Sequence, residues 1–270
     1  MARDLILITD PDDPRIAAYR DIRERDLVGR EGKFVAEGKT VLNVLFSNAR
    51  FEADSVFLRE NRVEGAQALL ERVPQHVPVY VASGEVMDRI AGFHMHRGVL
   101  AIGRRVDTPG VENLLDSLPE DALVVALAGI ANHDNMGSIF RNAAAFGADA
   151  VVMDQGSCDP LYRKAIRVSV GAALKVPFAR EGSAEGMVDA LMARGFEVLA
   201  MSPHGTVDMT EVKPSKRMAL LLGAEGPGLP PHLLERLTSV RIAMRHDFDS
   251  LNVAAASAIA LHRLWRGEKR

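Results

Sequence analysis

The chain has 270 residues, 47% of them hydrophobic and 26% charged, proportions of a soluble globular protein with one large or two modest domains. No apolar run is long enough to span a bilayer, and the opening MARDLILITDPDD lacks a secretory pattern, so a cytoplasmic protein is expected. The single cysteine, Cys158, excludes an intramolecular disulfide framework, and a net charge of −3 argues against a surface that coats nucleic acid broadly while leaving room for a local basic groove.

In chain order, Leu5 to Thr9 reads as a short apolar strand, broken by Pro11 and Pro14. Ile16 to Asp26 reads as a charged helix. A strand at Phe34–Glu37 precedes a helix from Lys39, in which Val41, Leu42, Val44, Leu45 and Phe46 recur at helical spacing. Then follow a strand at Asp54–Leu58, a helix at Glu64–Arg72 and a strand at Val77–Val81. Ser83 caps a helix that carries Val86, Met87 and Ile90, and Val99–Ile102 is a further strand. The alternation predicts an α/β or α+β unit. Asp107–Glu120, with Pro109, Gly110 and Pro119, changes composition. It divides a domain over residues 1–107 and a linker over 108–117 from a domain over 118–270.

The second domain begins with a buried strand at Leu123–Leu127, a loop at Ala128–Asn135 and a helix through Phe146. Ala150–Met153 and Val198–Met201 are strands, and Arg163–Leu174 and Ala184–Arg194 are helices. Met218–Leu222 is a continuous apolar run, the mark of a strand buried on both faces. It enters the glycine-rich LLLGAEGPGL loop, and a helix at His232–Leu237 follows Pro230 and Pro231. A strand at Val240–Met244 and an alanine-rich helix at Ser250–Trp265, capped by Asp249 or Ser250, complete the chain. Strands alternating with helices imply a mainly parallel sheet.

Three loops after strands carry chemistry-bearing residues. The first holds Asn135 and Gly137 at a helix start, with Arg141 further along, where a guanidinium could return toward the loop. Backbone N–H groups and a fixed cation suit phosphate; a helix cap beside a surface arginine is the plainer alternative. The second plants Glu225 among Gly223, Gly226 and Gly228, where a ligand can approach the backbone closely, or where glycines simply make a turn. The third runs from Ile242 and Met244 to Ser250, Leu251 and Asn252, of which Ser250 and Asn252 also suit N-capping. His94 and His96 alternate as on a strand edge, and His133 and His246 have no partner at metal-ligand spacing, so no metal is expected. Cys158 lacks an adjacent base. GxGxxG is absent, which leaves a Rossmann dinucleotide site without support.

In this order the three loops resemble the three motifs of the SpoU branch of the SPOUT RNA methyltransferases. Asn135-x-Gly137-x-x-x-Arg141, continued by Ala144 and Phe146-Gly147, is similar to the first motif. LLLGAEGPGL resembles the second, and Ile242-x-Met244 with Ser250-Leu251-Asn252-Val253 the third. Arg167-x-Ser169-x-Gly171-Ala172 resembles a further segment of that branch. Phe34-Val35-Ala36-Glu37-Gly38-Lys39 and His96-Arg97-Gly98-Val99-Leu100-Ala101 more loosely resemble the substrate-binding domain that often precedes it. Two positions depart from the pattern: Ala224 stands where Asn or Ser is usual, and His246 where a turn glycine is usual.

The resemblance implies a C-terminal SPOUT-type α/β domain with a mainly parallel sheet and a trefoil knot, behind a smaller N-terminal α/β RNA-binding domain. It implies an enzyme that moves a methyl group from S-adenosylmethionine to a ribose 2′-hydroxyl of tRNA or rRNA, as a homodimer. Asn135, Arg141, Glu225, Ser250 and Asn252 are its expected catalytic residues. Met201, Leu222, Gly223, Ile242, Met244 and Leu251 are the expected cofactor-binding residues. The family often gives the arginine the proton-accepting role, but a free guanidinium, with a pKa above ~12, is a very poor base. Phosphate anchoring is therefore the role assigned to Arg141. Two other classes stay open: a non-catalytic RNA-binding protein that retains the fold, and a nucleotide-binding enzyme, which would lack the Lys-Ser/Thr ending of a P-loop.

Overall fold

The computed structural model describes residues 4–20, 27–29, 31–91, 98–245, 249–265 and 267. Two units emerge: Met1–Thr108 with Leu161–Lys175, and Pro109–Pro160 with Val176–Arg270. The first contains β1 (Leu5–Ile8), β2 (Lys33–Glu37), β3 (Phe51–Arg59), β4 (Val79–Ala82) and β5 (Val99–Arg105). Their order is β1-β4-β3-β5-β2. β1 and β3 run parallel to β4, whereas β5 runs antiparallel to both β3 and β2.

Phe57, Tyr80, Met87, Leu100 and Ile102 belong to this unit's core. Tyr19 is buried with them, and its hydroxyl lies 2.8 Å from Ser55 Oγ and accepts from the Ile102 N–H at 3.3 Å. These partners satisfy a polar group that water cannot reach, and burial raises the Tyr19 pKa. At the end of β2, buried Glu37 accepts from Arg163 Nε at 3.1 Å and Nη2 at 2.9 Å. That pair ties a segment distant in sequence into the unit. The single helix expected at Arg163–Leu174 is two short helices, Arg163–Val168 and Ala172–Lys175. Val170 (φ 53°) and Gly171 (φ 85°) break it by turning the backbone left-handed. The expected helix at Ile16–Asp26 is a 3₁₀ turn over Pro14–Tyr19 where it is described; residues 21–26, and likewise His94, His96 and Arg97, lie outside the described residues.

The second unit contains β6 (Ala122–Ala128), β7 (Ala150–Met153), β8 (Phe178–Arg180), β9 (Glu197–Met201), β10 (Val207–Asp208), β11 (Arg217–Gly223) and β12 (Thr238–Arg241). The order is β10-β12-β9-β11-β6-β7-β8, and every pairing is parallel. All seven residues of β6 are buried, as a strand covered on both faces requires. Val124 and Ala126 of β6 join a core with Leu114, Val188, Leu191 and Leu233 from three helices. Leu123, Val125 and Leu127 alternate to the opposite face. The His133–Ala145 and Val253–Leu264 helices pack together, with Asn142 Nδ2 donating to Ala254 O at 2.8 Å and to Ser257 Oγ at 2.9 Å.

Residues 108–117, read from sequence as a linker, carry the helix Val111–Asp116, whose Val111, Leu114 and Leu115 are buried in the second unit's core. The strand expected at Val240–Met244 ends at Arg241. Ile242 and Met244 are apolar for a different reason, described below. The last helix starts at Val253 with Asn252 as its cap, in place of Asp249 or Ser250. No described helix is long and apolar enough to cross a membrane.

Candidate functional site

Because the seven strands are parallel, the loops that follow β6, β9, β11 and β12 leave from one end, where open α/β sheets receive ligands. β11 exits through Gly223, where a Cβ would stand 2.5 Å from the Gly228 carbonyl carbon and 2.6 Å from Leu229 N. The backbone folds back on itself there, and the Gly228 N–H donates to Ala224 O at 3.0 Å. The loop is thus held through the Ala224 backbone, and the side-chain hydrogen bond missing at this position is not needed to close it. Glu225 follows on the exposed turn.

The helix after β6 is capped by Asn132, whose Oδ1 accepts from Asp134 N at 2.8 Å and Asn135 N at 3.4 Å. Asn135 therefore lies inside the first turn, 7% exposed. Asn252 caps the last helix in the same way, its Oδ1 accepting from Ala254 N at 2.9 Å and Ala255 N at 3.3 Å. With its oxygen committed, Asn252 presents Nδ2 to Glu225 Oε1 and to Asn135 Oδ1, both at 3.0 Å. Asn135 Nδ2 donates to the same Glu225 oxygen at 2.5 Å. Three side chains from three loops close a ring, and the helix cap fixes the orientation of both amides.

Behind this ring, Asp154 accepts from Gly129 N at 3.0 Å, from Ser157 N at 2.9 Å and from Ser157 Oγ at 2.7 Å. Ser157 Oγ in turn accepts from Ile130 N at 3.0 Å. The sequence reading missed this clamp on the first loop; the signal available was an Asp-x-x-Ser turn directly after β7. It also missed Asn132, three residues ahead of Asn135 at the cap position.

A cavity of about 600 Å³ opens at the same strand ends. All six expected cofactor residues, Met201, Leu222, Gly223, Ile242, Met244 and Leu251, line it, as do Glu225, Ser250 and Asn252. Ile242 and Met244 leave the ladder after β12 to form part of its apolar wall. Ser202, His204 and Asp249, unforeseen from the sequence, line it too. Apolar side chains with backbone groups suit a flat heteroaromatic ring, and carboxylates suit a cationic centre, so the residues present fit an adenosyl sulfonium.

Arg141 is placed differently. Six residues at about 100° each carry it roughly 120° around the helix from Asn135, and it is not among the cavity's lining residues. It is exposed, and among the described residues it has no hydrogen-bond or ion-pair partner. His246 lies outside the described residues. Cys158 is held by its backbone N–H on Ile130 O at 2.8 Å, and burial pushes its thiol up to about 11, which makes it a poor nucleophile.

The sequence matches the model of the SpoU rRNA Methylase family over residues 122–262, a stretch that spans all three loops. An uncharacterized tRNA/rRNA methyltransferase of Mycobacterium bovis is 41% identical over 269 residues, covering 96% of this chain and 91% of its own. The 23S rRNA (guanosine-2′-O-)-methyltransferase RlmB of Bordetella pertussis is 29% identical over 206 residues, covering 76% and 83%. Among solved structures, an AdoMet-bound rRNA methyltransferase from Sinorhizobium meliloti aligns with a TM-score of 0.80 at 27% identity, over 97% of this chain and 98% of its own. With its parallel sheet, its three strand-end loops and this match over more than half its length, the chain belongs to the SpoU rRNA methylase family.

Proposed function

We propose that the protein transfers a methyl group from S-adenosylmethionine to a ribose 2′-hydroxyl of tRNA or rRNA. The observation that carries the reading is the ring of Asn135, Glu225 and Asn252 beside a cavity of about 600 Å³. Leu222, Gly223, Ile242, Met244 and Leu251 hold the adenosine part, with Met201 beside them. The cofactor supplies an electrophilic methyl; a neutral hydroxyl is a poor nucleophile, so the protein's task is to orient it and assist removal of its proton. Asn135, Ser250 and Asn252 form the polar wall that positions the ribose. Arg141, exposed and outside the cavity, anchors the RNA phosphate through its planar fork.

In this reading residues 1–107 supply RNA affinity and 118–270 bind the cofactor through a knotted chain. The protein works in the cytoplasm, on tRNA or rRNA. It acts as a homodimer, a proposal supported by Ile259 and Trp265, each 45% exposed toward the end of the alanine-rich last helix. Light scattering at micromolar concentration tests the dimer, and a species of only 29.4 kDa counts against it. For the activity, calorimetry with S-adenosylmethionine should show binding, and mapping of 2′-O-methyl positions in RNA from a strain lacking the gene should show a missing site. A protein that binds RNA but gives no cofactor heat is the non-catalytic alternative.

A further inference from the structure

Glu225 is held by one oxygen only. Its Oε1 accepts from Asn135 Nδ2 at 2.5 Å and Asn252 Nδ2 at 3.0 Å, while Oε2 has no partner among the described residues. Neither donor is free to swing away. Asn252 is pinned by its cap on the last helix, and Asn135 is buried in a helix turn. A carboxylate gripped along one edge presents the other oxygen in a fixed direction, on a residue that lines the cavity. The guanidinium of Arg141 is donor-only and lies outside that lining.

We infer that Glu225, through Oε2, accepts the proton of the attacking ribose hydroxyl. The inference rests on the methyl-transfer reading above and names the group that reading leaves open. The step balances as follows. The 2′-oxygen forms a bond to the methyl carbon as the carbon–sulfur bond breaks, and that bond's electron pair stays on sulfur. The O–H bond gives its electron pair to oxygen, and its proton passes to Glu225. The products are a 2′-O-methyl ribose, S-adenosylhomocysteine and a protonated Glu225 that returns its proton to water. Asn135 and Asn252 are positioning residues for the acceptor.

Glu225→Gln separates this role from a purely structural one. Glutamine keeps a carbonyl oxygen for the two asparagine donors, so the ring survives, but its amide nitrogen cannot accept a proton. Other titratable groups stand near: Asp249 and His204 line the cavity, and His133 and Asp134 open the helix that carries Asn135. A pH profile is therefore needed beside the rate. In the full chain, Glu225→Gln should bind S-adenosylmethionine by calorimetry and RNA by filter binding within about twofold of wild type. Its kcat should fall about hundredfold or more, and the acid limb of kcat against pH should vanish. Glu225→Asp should recover part of kcat and keep an acid limb. If Glu225→Gln proves unstable to heat, Glu225→Asp decides, and a flat acid limb in that variant overturns the inference. So does a Glu225→Gln enzyme with kcat within tenfold of wild type or an unchanged acid limb. Wild type that transfers no methyl group overturns the methyl-transfer reading instead.

Discussion

Glu37 in the first unit and Glu225 in the second are both carboxylates at or just past a strand end, and their partners give them opposite roles. Glu37 is buried and receives the forked guanidinium of Arg163, which matches its charge and joins two distant segments. Glu225 is exposed on its loop and receives only neutral amides, on one oxygen. A buried ion needs a counter-ion, so Glu37 is occupied by holding the fold. The neutral grip on Glu225 fixes its position without cancelling its charge, which stays available to a ligand. The sheets differ to match. With β5 antiparallel to β2 and β3, the first unit sends its connections out at both ends. The all-parallel sheet gathers its strand ends on one side and makes a site there.

The largest expected effect comes from breaking the first carboxylate's pairing. Arg163→Ala leaves Glu37 buried without its cation and should cost the first unit about 3 kcal/mol, the low end of the range for such pairs because Arg163 is 18% exposed. Hydrogen exchange should quicken in β2 and β5, while S-adenosylmethionine affinity by calorimetry stays put. Loss of cofactor affinity in this variant would show that the two regions do not have separate jobs. Next is Gly223→Ala, aimed at the other region. The added Cβ meets backbone atoms that cannot rotate away, so the Glu225 loop must shift. Cofactor affinity should fall about hundredfold, near 2.7 kcal/mol; affinity within threefold of wild type would mean that the loop can relax and that its tight fold does not shape the cavity.

Why some of this was legible in sequence and some was not has physical causes. The β11 strand and its loop were readable because burial on both faces demands an unbroken apolar run, and the return of the chain demands glycine. Ile242 and Met244 misled because an apolar residue facing a cavity looks the same in sequence as one facing a core. β8 and β10 have three and two residues, too few to show a period. The Leu161–Lys175 segment reads as part of the second domain because nothing local announces that its Arg163 answers Glu37. Asn135 and Asn252 were identifiable by resemblance, but their mutual hydrogen bonds depend on which nearby residue caps each helix, and several neighbours could have done so.

Arg141→Ala sharpens the contrast within the second region, since Arg141 and Asn135 share a helix but face different ways. Removing a charge-assisted contact costs about 1.5–3 kcal/mol, or roughly tenfold to a hundredfold in rate at fixed RNA. Calorimetry should show cofactor affinity unchanged, and Arg141→Lys should rescue little, because a point charge does not reproduce a planar fork. Near-normal turnover would remove Arg141 from the site, and a large loss of cofactor heat would move it into the cavity.

The smallest effect is expected at Val170, on the side of the comparison concerned only with holding. Its φ of 53° places a β-branched residue in the left-handed region, a strain of about 1–3 kcal/mol. The turn is fixed from both sides: Ser169 Oγ donates to Ile166 O at 2.9 Å and accepts from Ala173 N at 3.2 Å, and Gly171 follows at φ 85°. Val170→Gly relieves the strain, but it adds freedom to the unfolded chain worth about 0.5–1 kcal/mol. It also removes the contacts of a side chain that is already 42% exposed. The terms nearly cancel and leave a gain of about 0.5 kcal/mol, or roughly 1–2 °C in melting temperature for a chain of this size. Val170→Asn, whose side chain tolerates this conformation better, should move the same way by less. Thermal unfolding of both variants decides it: a loss above about 1 kcal/mol for glycine would mean that contacts made by the valine, and not the backbone turn, hold the two short helices together.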